Sequence, residues 1–497
     1  MKKYIWNRLL KSILSILIVV SIVVIMVYTL VPVSKIFEND PAHQKLKTNY
    51  KTVYVYGKLE ELGYLDYYTI GEMCVAKKSE DINACTTSGS QENIKVLNEF
   101  EADGFTVEEL TQYDELQGRS FAYRKYSVPE LLWKFFSKLV VIDHPYKIQD
   151  PKNSDMNRGY SIESDYNNIP AVVCSGCNYK YQLYLDSSFP FIHSNILKFN
   201  FGISYPTNSG VATIDVIGNG QGSMKSFEQK FPTGEVSKSP ILQHTCKYKY
   251  ETDHLDQKRF TDNYANCTLQ YDSPSMIKTS YIFGIASLIL AYLIAVPFAI
   301  SMARNKGKTI DKAGIALINI LVAVPSLALI FFVKYIGFGF GLPDKFPQLG
   351  FTNIKSYILP VIILALLTMP SLMTWIRRYM VDQANADYVK FAKAKGLSKK
   401  EISQNHIFKN AIIPIVNGLP SSIILAISGA VITESVFSIP GMGKMLPDAI
   451  KASNNNMVIT LTFIFTSLSI LSVFLGDLLM TVVDPRISLN AKKGEKK

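Results

Sequence analysis

The sequence predicts an all-α transmembrane bundle of six spans, with both termini inside and a large α+β extracytoplasmic insertion between spans 1 and 2. Apolar residues gather in one run near the N-terminus and in a long block after residue 275, whereas the stretch between them is polar. The lysines and arginines behind the net charge of +11 cluster beside the apolar runs, as they do in short cytoplasmic loops. Membrane insertion therefore explains the charge, and we expect membrane lipid rather than nucleic acid as a partner.

The first span is expected near residues 12–31, where about 20 residues run without a charge, enough to cross a bilayer as a helix. The run is too long for a removed signal peptide and lacks a small-residue cleavage site, which indicates a retained anchor. Basic residues before it keep the N-terminus inside. Residues 1–32 are thus predicted to be a basic segment and span 1.

Residues 33–275 contain no second spanning run and are predicted to form a mixed α+β domain outside the cytoplasm. Alternating apolar residues predict strands, and longer apolar periods predict helices. The strands are expected at Thr52–Tyr56, Tyr181–Leu185 and Gly210–Ile217, and the helices at Glu92–Phe100 and Val128–Leu139.

All six cysteines lie in this insertion: Cys74, Cys85, Cys174, Cys177, Cys246 and Cys267. An extracytoplasmic location permits disulfides. Pairing of sequence neighbours is favoured because short loops close at low entropic cost. Free buried thiols and a zinc site built on Cys174 and Cys177 remain open alternatives. We expect the local disulfides and no metal.

Residues 276–486 are predicted to hold five further spans, followed by a basic cytoplasmic tail at 487–497. Prolines interrupt many of the runs, and small residues allow close helix approach, so a packed bundle around a pathway is expected. The runs lie at Met276–Met302, Ala313–Ile336, Tyr357–Trp375, Ile412–Val436 and Val458–Val483.

The longest inner loop, residues 377–411, carries the most informative pattern. Helical spacing puts four side chains on one face of a short helix, namely Tyr388, Phe391, Ala392 and Lys395. Gly396 can end that helix in the left-handed conformation, and a second helix then re-enters the membrane at Pro414. This shape suits docking into a groove on a cytoplasmic partner. A basic loop on lipid headgroups would explain the lysines but not the alanines and the glycine.

The motifs resemble those of permease subunits of ABC importers, in the oligopeptide/dipeptide branch. Four blocks carry the resemblance: Asp387–Ser398, His406–Pro414, Glu434–Leu446 and Asp484–Arg486. The chain departs from the general EAA-x-x-x-G pattern at Lys390 and Phe391, where that pattern has Glu and Ala. Phe201–Ser204 resembles the family's segment before its second span, with the acidic residue lost. The enlarged segment 33–186 is similar to streptococcal oligopeptide-permease subunits.

The resemblance implies a permease subunit with no catalytic residue. The residues implied in coupling to an ATPase are Asp387, Tyr388, Phe391, Ala392, Ala394, Lys395, Gly396 and Leu397. The structural motif of the coupling loop is His406, Asn410, Ala411 and Pro414, and the outer-loop motif is Glu434, Pro440, Gly441 and Gly443. The chain lacks GxxxxGK[ST], so no cofactor is expected on it, and ATP and Mg are expected on partner ATPases.

The resemblance also implies partners and a location. The partners are a second permease subunit, two ABC ATPase subunits and an extracytoplasmic peptide-binding lipoprotein. The location is the cell membrane of a Gram-positive bacterium, crossed several times.

Three alternatives stay open at this point. An ion-coupled secondary transporter predicts midplane charges, for which Lys334, Glu434 and Asp477 are the candidates, although all three sit towards span ends. A signalling receptor would need a soluble cytoplasmic output domain, where this chain has more spans. A permease of the same family for another solute, such as dipeptides or nickel, is the third.

Overall fold

The computed structural model describes residues 2–186, 191–426 and 430–483. The chain divides into two compact units. One, the bundle unit, comprises Met1–Val20, Pro274–Asp448 and Leu461–Lys497, and the other, the insertion unit, comprises Ser21–Ser273 and Ala449–Thr460. The insertion unit therefore differs from the predicted domain 33–275, because it also includes the end of the first apolar helix and a segment near the last one.

The first apolar run forms one unbroken helix, α1 (Lys2–Leu30). The helices that follow in the insertion unit are α2 (Val33–Phe37), α3 (Pro41–Lys45), α4 (Thr48–Glu61), α5 (Ile70–Ala76), α6 (Ile82–Thr86), α7 (Gln91–Ala102), α8 (Val128–Leu139), α9 (Thr213–Gly218) and α10 (His254–Arg259). The sequence predictions for α7 and α8 are confirmed.

The strands of the insertion unit are β1 (Leu65–Thr69), β2 (Thr106–Glu109), β3 (Ser120–Lys125), β4 (Val140–Ile142), β5 (Gly159–Ser164), β6 (Pro170–Ser175), β7 (Tyr181–Leu185), β8 (Ile192–Ser194), β9 (Leu197–Phe199), β10 (Gln221–Met224), β11 (Phe227–Lys230), β12 (Val236–Ser239) and β13 (Tyr271–Ser273). They form antiparallel sheets of order β1-β3-β2 and β5-β6-β7-β8 and the pairs β4-β9, β10-β13 and β11-β12. The predicted strand at Tyr181–Leu185 is β7.

Two strand predictions are wrong. Thr52–Tyr56 alternates locally, but it lies within α4, whose apolar residues continue at helical spacing to the buried Leu59 and pack on the neighbouring core. Gly210–Ile217 contains the start of α9, in which Thr213 and Ile217 are both fully buried one helical turn apart. In both places burial against the core overrides β-propensity, which depends strongly on context.

The cysteines are bonded as three sequence-local pairs: Cys74 with Cys85, Cys174 with Cys177, and Cys246 with Cys267. The first pair joins α5 to α6, and the bonded sulfurs are buried beside Val96 and Phe100 of α7. Among the described residues, no group of His, Cys, Asp and Glu side chains could hold a metal ion.

Three consecutive asparagines attach segment 449–460 to the rest of the insertion unit. Asn454 Nδ2 donates to Ser204 Oγ at 2.7 Å, and Asn456 Nδ2 donates to the Ile203 carbonyl at 3.0 Å. Asn456 Oδ1 accepts from the Tyr28 hydroxyl at 3.1 Å, and Asn455 bonds Tyr64. Gly202 has a φ of +83°, and a Cβ at this position would lie 2.7 Å from Asn456 Nδ2. Glycine is therefore required at position 202, where the segment Phe201–Ser204 contacts these asparagines.

The helices of the bundle are α11 (Met276–Arg304), α12 (Thr309–Ala323), α13 (Ser326–Gly339), α14 (Lys355–Ala384), α15 (Asp387–Ala394), α16 (Lys399–Glu401), α17 (Lys409–Ala411), α18 (Ile413–Leu425), α19 (Val431–Val436), α20 (Met442–Lys451) and α21 (Asn455–Val483). A π-helical turn, Ile402–Phe408, connects α16 to α17.

Four described helices are long and apolar enough to cross a membrane, and two bent pairs raise the number to as many as six. The single helix predicted at Ala313–Ile336 is instead α12 and α13, which meet at 105°. Pro325 lacks a backbone N–H, and Val324 before it has the extended ψ of 127° that a following proline favours. The run predicted at Ile412–Val436 is likewise divided: α18 follows α17 at a 50° bend, and α19 is separate.

The centre of the bundle unit is the contact between α11 and α14. Ala291, Ala295 and Ala299 recur every fourth residue on α11, are fully buried, and pack against the methionines of α14. Small side chains at this spacing let two helices approach closely, which is how membrane helices associate.

Candidate functional site

The inner loop forms a helix–turn–helix in which the turn is fixed by backbone hydrogen bonds. α15 ends in a Schellman arrangement, in which Leu397 N–H donates to the Ala392 carbonyl at 3.3 Å and Gly396 N–H to the Lys393 carbonyl at 3.0 Å. Gly396 has a φ of +78°, the left-handed conformation predicted for it. A Cβ on Gly396 would meet nothing within 4 Å, so backbone conformation alone selects glycine here.

A capping box starts the next helix immediately after the turn. Ser398 N–H donates to Glu401 Oε2 at 2.9 Å, and Glu401 N–H donates to Ser398 Oγ at 3.3 Å. This reciprocal pair satisfies two of the free N–H groups at the helix start. The two helices therefore meet at a short turn whose geometry is set on both sides.

The buried face of α15 contains fewer of the predicted side chains than the sequence indicates. Ala392 is buried together with Val389, a residue that the sequence analysis missed, and both pack against Ile402. Phe391 points away from this contact and is 70% exposed. The four side chains expected on one face therefore divide: Ala392 faces inward, Tyr388 is half-buried against the same cluster, and Phe391 and Lys395 face outward.

Outward-facing residues give α15 a mixed surface with the largely exposed Phe391 at its apolar centre. Asp387 and Lys390 form an exposed ion pair at 2.8 Å beside Phe391. Ala394 and Leu397 are also exposed, at the end that leads into the turn. An exposed phenylalanine flanked by charges on a rigid helix is suited to insertion into a protein groove.

The remaining coupling-loop residues lie on the second helix. His406 is in the π-helical turn, and its carbonyl lies 3.5 Å from the Tyr388 hydroxyl, which donates to Gln383 Oε1 at 2.8 Å. Asn410 and Ala411 follow in α17, where Ala411 is buried in the α11–α14 core. Pro414 lies in the first turn of α18, where its missing N–H costs no hydrogen bond.

Two polar contacts attach this region to the bundle, and sequence reasoning missed both. The Arg377 guanidinium binds the Asp311 carboxylate with two hydrogen bonds, at 2.5 and 2.8 Å, and the Asp311 side chain is 2% exposed. Arg304 Nε donates to Ser403 Oγ at 2.8 Å. These partners are far apart in sequence, so no local spacing signals them.

The outer-loop motif surrounds a buried carboxyl group. Glu434 is 3% exposed and accepts hydrogen bonds from Ser280 Oγ at 2.7 Å, Lys444 N–H at 3.0 Å and Ala430 N–H at 3.2 Å. A Cβ at Gly441 would lie 2.5 Å from the Glu434 carboxyl carbon. Pro440 directly precedes this glycine, and Gly443 follows in the first turn of α20.

The other two candidate midplane charges also have partners. Lys334 Nζ donates to the Val436 carbonyl at 3.1 Å and lies 5.2 Å from the centre of the Phe437 ring. Asp477 forms an ion pair with Arg8. Each group is thus engaged in a structural contact, as is Glu434.

Comparison with known proteins places these motifs in a family. The family model for the inner membrane component of binding-protein-dependent transport systems matches residues 295–489. The oligopeptide transport system permease protein AmiC of two Streptococcus pneumoniae strains is 42% identical over 503 residues, covering 100% of both chains. The dipeptide transport system permease protein DppB of Lactococcus lactis is 27% identical over 237 residues, covering 46% of this chain and 77% of its own. A solved structure of the MetNI methionine ABC transporter matches with a TM-score of 0.34 and 14% identity, covering 42% of this chain and 94% of that one.

Proposed function

The chain belongs to the family of binding-protein-dependent transport system inner membrane components, and from that premise we propose that it is the transmembrane permease subunit of an ABC importer for oligopeptides. It forms half of the translocation pathway and couples that pathway to ATPase subunits. The oligopeptide cargo rests on the pneumococcal oligopeptide permease, which matches over its whole length. Dipeptides or nickel are the alternative cargoes within the family.

The observation that carries the coupling role is the helix–turn–helix at Asp387–Ala411. Its two helices pack on each other through Val389, Ala392 and Ile402, and Ala411 and the Arg304–Ser403 hydrogen bond attach it to the bundle. Its outer side presents Phe391. A rigid element that is packed on one side and exposed on the other can transmit a movement of a bound partner to the helices behind it.

The partners follow from this role. Two ATPase subunits bind ATP and Mg, and one of them receives α15. A second permease subunit completes the pathway, and an extracytoplasmic lipoprotein delivers the peptide. The cell is Gram-positive, and the chain crosses its membrane six times with both termini inside. The predicted tail 487–497 and the motif Asp484–Arg486 lie outside the described residues.

Uptake of a labelled oligopeptide tests the proposal. A strain that lacks this chain but contains the partner subunits should regain uptake when the chain is supplied. Uptake should disappear when the phosphate-binding lysine of the ATPase subunits is replaced, because ATP hydrolysis drives the import. Unlabelled oligopeptide should compete, whereas dipeptide and nickel should not.

Two results would contradict the proposal. Uptake that persists with inactive ATPases and stops when the proton gradient is dissipated would indicate the ion-coupled alternative. Competition by nickel or dipeptide but not by oligopeptide would retain the ABC permease and change its cargo.

The topology can be tested by proteolysis of wall-stripped cells. External protease is expected to cut the insertion between residues 33 and 274 and to spare the loop at residues 377–411, because the basic residues in the first turns of α1 keep the N-terminus inside. Antibodies against each segment would identify the fragments. Lysed cells are the control, since both segments should then be cut. Cleavage of only the inner loop in intact cells would reverse the orientation.

A further inference from the structure

Helix α8 has an apolar face much wider than the part that is packed. Because successive residues advance by about 100°, its apolar side chains cover about 200° of the circumference, twice the width of an ordinary core-facing stripe. Only Leu131 and Leu139 are buried, at 7% and 5% exposure, whereas Trp133 is 75% exposed. The polar strip carries Lys134, which pairs with Asp66 at 2.9 Å, and the exposed Lys138. This helix therefore presents unpacked apolar surface around Trp133.

The ribbon that follows α8 is oriented with its apolar side out. β4 pairs with β9 in the register Val140↔Phe199, Val141↔Lys198 and Ile142↔Leu197. Val140, Ile142 and Leu197 are 45%, 57% and 50% exposed, and Phe199 is 40% exposed.

The opposite side of the ribbon carries a lysine. Lys198 Nζ lies 5.0 Å from the centre of the Tyr179 ring, and burial lowers the pKa of its ammonium group. A shift of one residue in the pairing would turn the lysine to solvent and the apolar residues inward. In water the observed register costs free energy, so it indicates an apolar environment on the outward side.

Both elements lie beside the ends of two membrane helices within the insertion unit. Tyr28 near the end of α1 and Asn456 at the start of α21 line one cleft together with Leu131 and Phe135 of α8. Asn200 N–H, directly after β9, donates to the Leu139 carbonyl at 2.8 Å and joins the ribbon to α8. The exposed apolar surface is thus close to the level at which α1 leaves the membrane and α21 enters it.

We propose that α8 and the β4–β9 ribbon form a membrane-surface anchor, which inserts Trp133, Ile142 and Leu197 between the headgroups of the lipid bilayer. A helix with a wide apolar face, an exposed tryptophan and an exposed lysine on its polar strip is suited to lie in the bilayer interface. The anchor holds the insertion unit on the membrane beside its two spans. The proposal rests on the membrane location proposed above and is independent of the cargo.

Tryptophan quenching by brominated lipids tests this anchor. The chain has three tryptophans, so the full-length variant with Trp6→Phe and Trp375→Phe reports on Trp133 alone. Reconstituted in nanodiscs, its fluorescence is expected to be quenched most by phosphatidylcholine brominated at shallow acyl positions and less by deep bromination. Ile142→Lys should reduce this quenching several-fold, whereas Ile82→Lys, at a similarly exposed isoleucine of α6, should not.

The control places the reporter on the far side of α4. Tyr113 is 94% exposed, and its neighbour Asp114 binds Asn49 at the start of α4. Tyr28 of α1 binds the Leu62 carbonyl at the other end of α4. The two ends of a helix of this length are about 20 Å apart. With all three tryptophans replaced by phenylalanine, Tyr113→Trp should show no quenching.

Equal quenching at positions 113 and 133, or none at 133, would overturn the proposal. A blue shift of Trp133 only on adding the peptide-binding lipoprotein or the second permease would assign the surface to that protein instead. If the double phenylalanine variant does not fold, the difference between the wild-type chain and Trp133→Phe gives the same measurement. Uptake is measured in parallel, so loss of transport and loss of membrane contact are distinguished.

Discussion

Replacing Gly396 by valine is expected to lower oligopeptide uptake at least about tenfold, the factor that corresponds to about 1.4 kcal/mol, while the subunit remains assembled in the membrane. The left-handed φ of +78° costs a non-glycine residue about 1–2 kcal/mol of conformational free energy, and this cost is largest for a β-branched residue such as valine. Relief of that strain moves Leu397 and the Ser398 cap, so the outward surface of α15 no longer holds its orientation. Uptake and binding-protein-stimulated ATP hydrolysis should fall together. Gly396→Asn should retain much of both, since asparagine tolerates this conformation.

Gly341 provides a matched control. It has the same φ of +78° and, like Gly396, no atom within 4 Å of a Cβ, but it follows α13 in a loop predicted to be outside. Gly341→Val therefore introduces a similar strain away from the coupling loop and should leave uptake close to that of the wild-type chain. Normal uptake by Gly396→Val, or an equal loss in both variants, would remove the coupling role assigned to this turn.

The features predicted correctly from the sequence are local ones. The Gly396 turn is encoded within a few residues, because a Schellman end needs only neighbouring groups. The capping box at Ser398 is equally local, although the sequence analysis did not predict it. The pattern did not reveal which side of α15 is buried. Val389 and Ala392 face inward because Ile402 lies beneath them, and that contact depends on how the second helix folds back.

The features missed from the sequence depend on partners distant in the chain. The ion pair of Asp311 with Arg377 spans 66 residues, and that of Arg8 with Asp477 joins opposite ends of the chain. Thr52–Tyr56 was misassigned for a related reason, since its alternating pattern fits a strand until the core that α4 covers is known. The presence of Pro325 alone does not predict the 105° bend between α12 and α13, because Pro360 and Pro370 lie within α14 and leave that helix continuous.

The second large effect is expected at Gly441, where alanine should destabilise the folded subunit by about 2–3 kcal/mol, the scale of buried hydrogen bonds left unmade. The new Cβ would lie 2.5–2.6 Å from the Glu434 carboxyl atoms. This carboxyl group cannot simply move aside, because Ser280 Oγ and the N–H of Lys444 hold it. Ser280 Oγ also accepts from Met442 N–H at 2.7 Å, so a displaced carboxyl group disturbs the start of α20. The apparent melting temperature of the purified complex in nanodiscs would measure the loss.

A double-mutant cycle separates this contact from a general intolerance of the turn. Glu434→Ala is itself expected to destabilise the subunit, because it leaves the Ser280 hydroxyl and buried N–H groups without their acceptor. In that background Gly441→Ala should cost little more, since the obstructing carboxyl group is gone, and the two changes should be non-additive by about 1–2 kcal/mol. Gly339→Ala in α13, with nothing within 4 Å of the added Cβ, should be neutral or slightly stabilising. If the stability losses of Glu434→Ala and Gly441→Ala simply add, glycine is needed at position 441 for its backbone conformation alone. The buried carboxyl group would then have no part in fixing the outer turn.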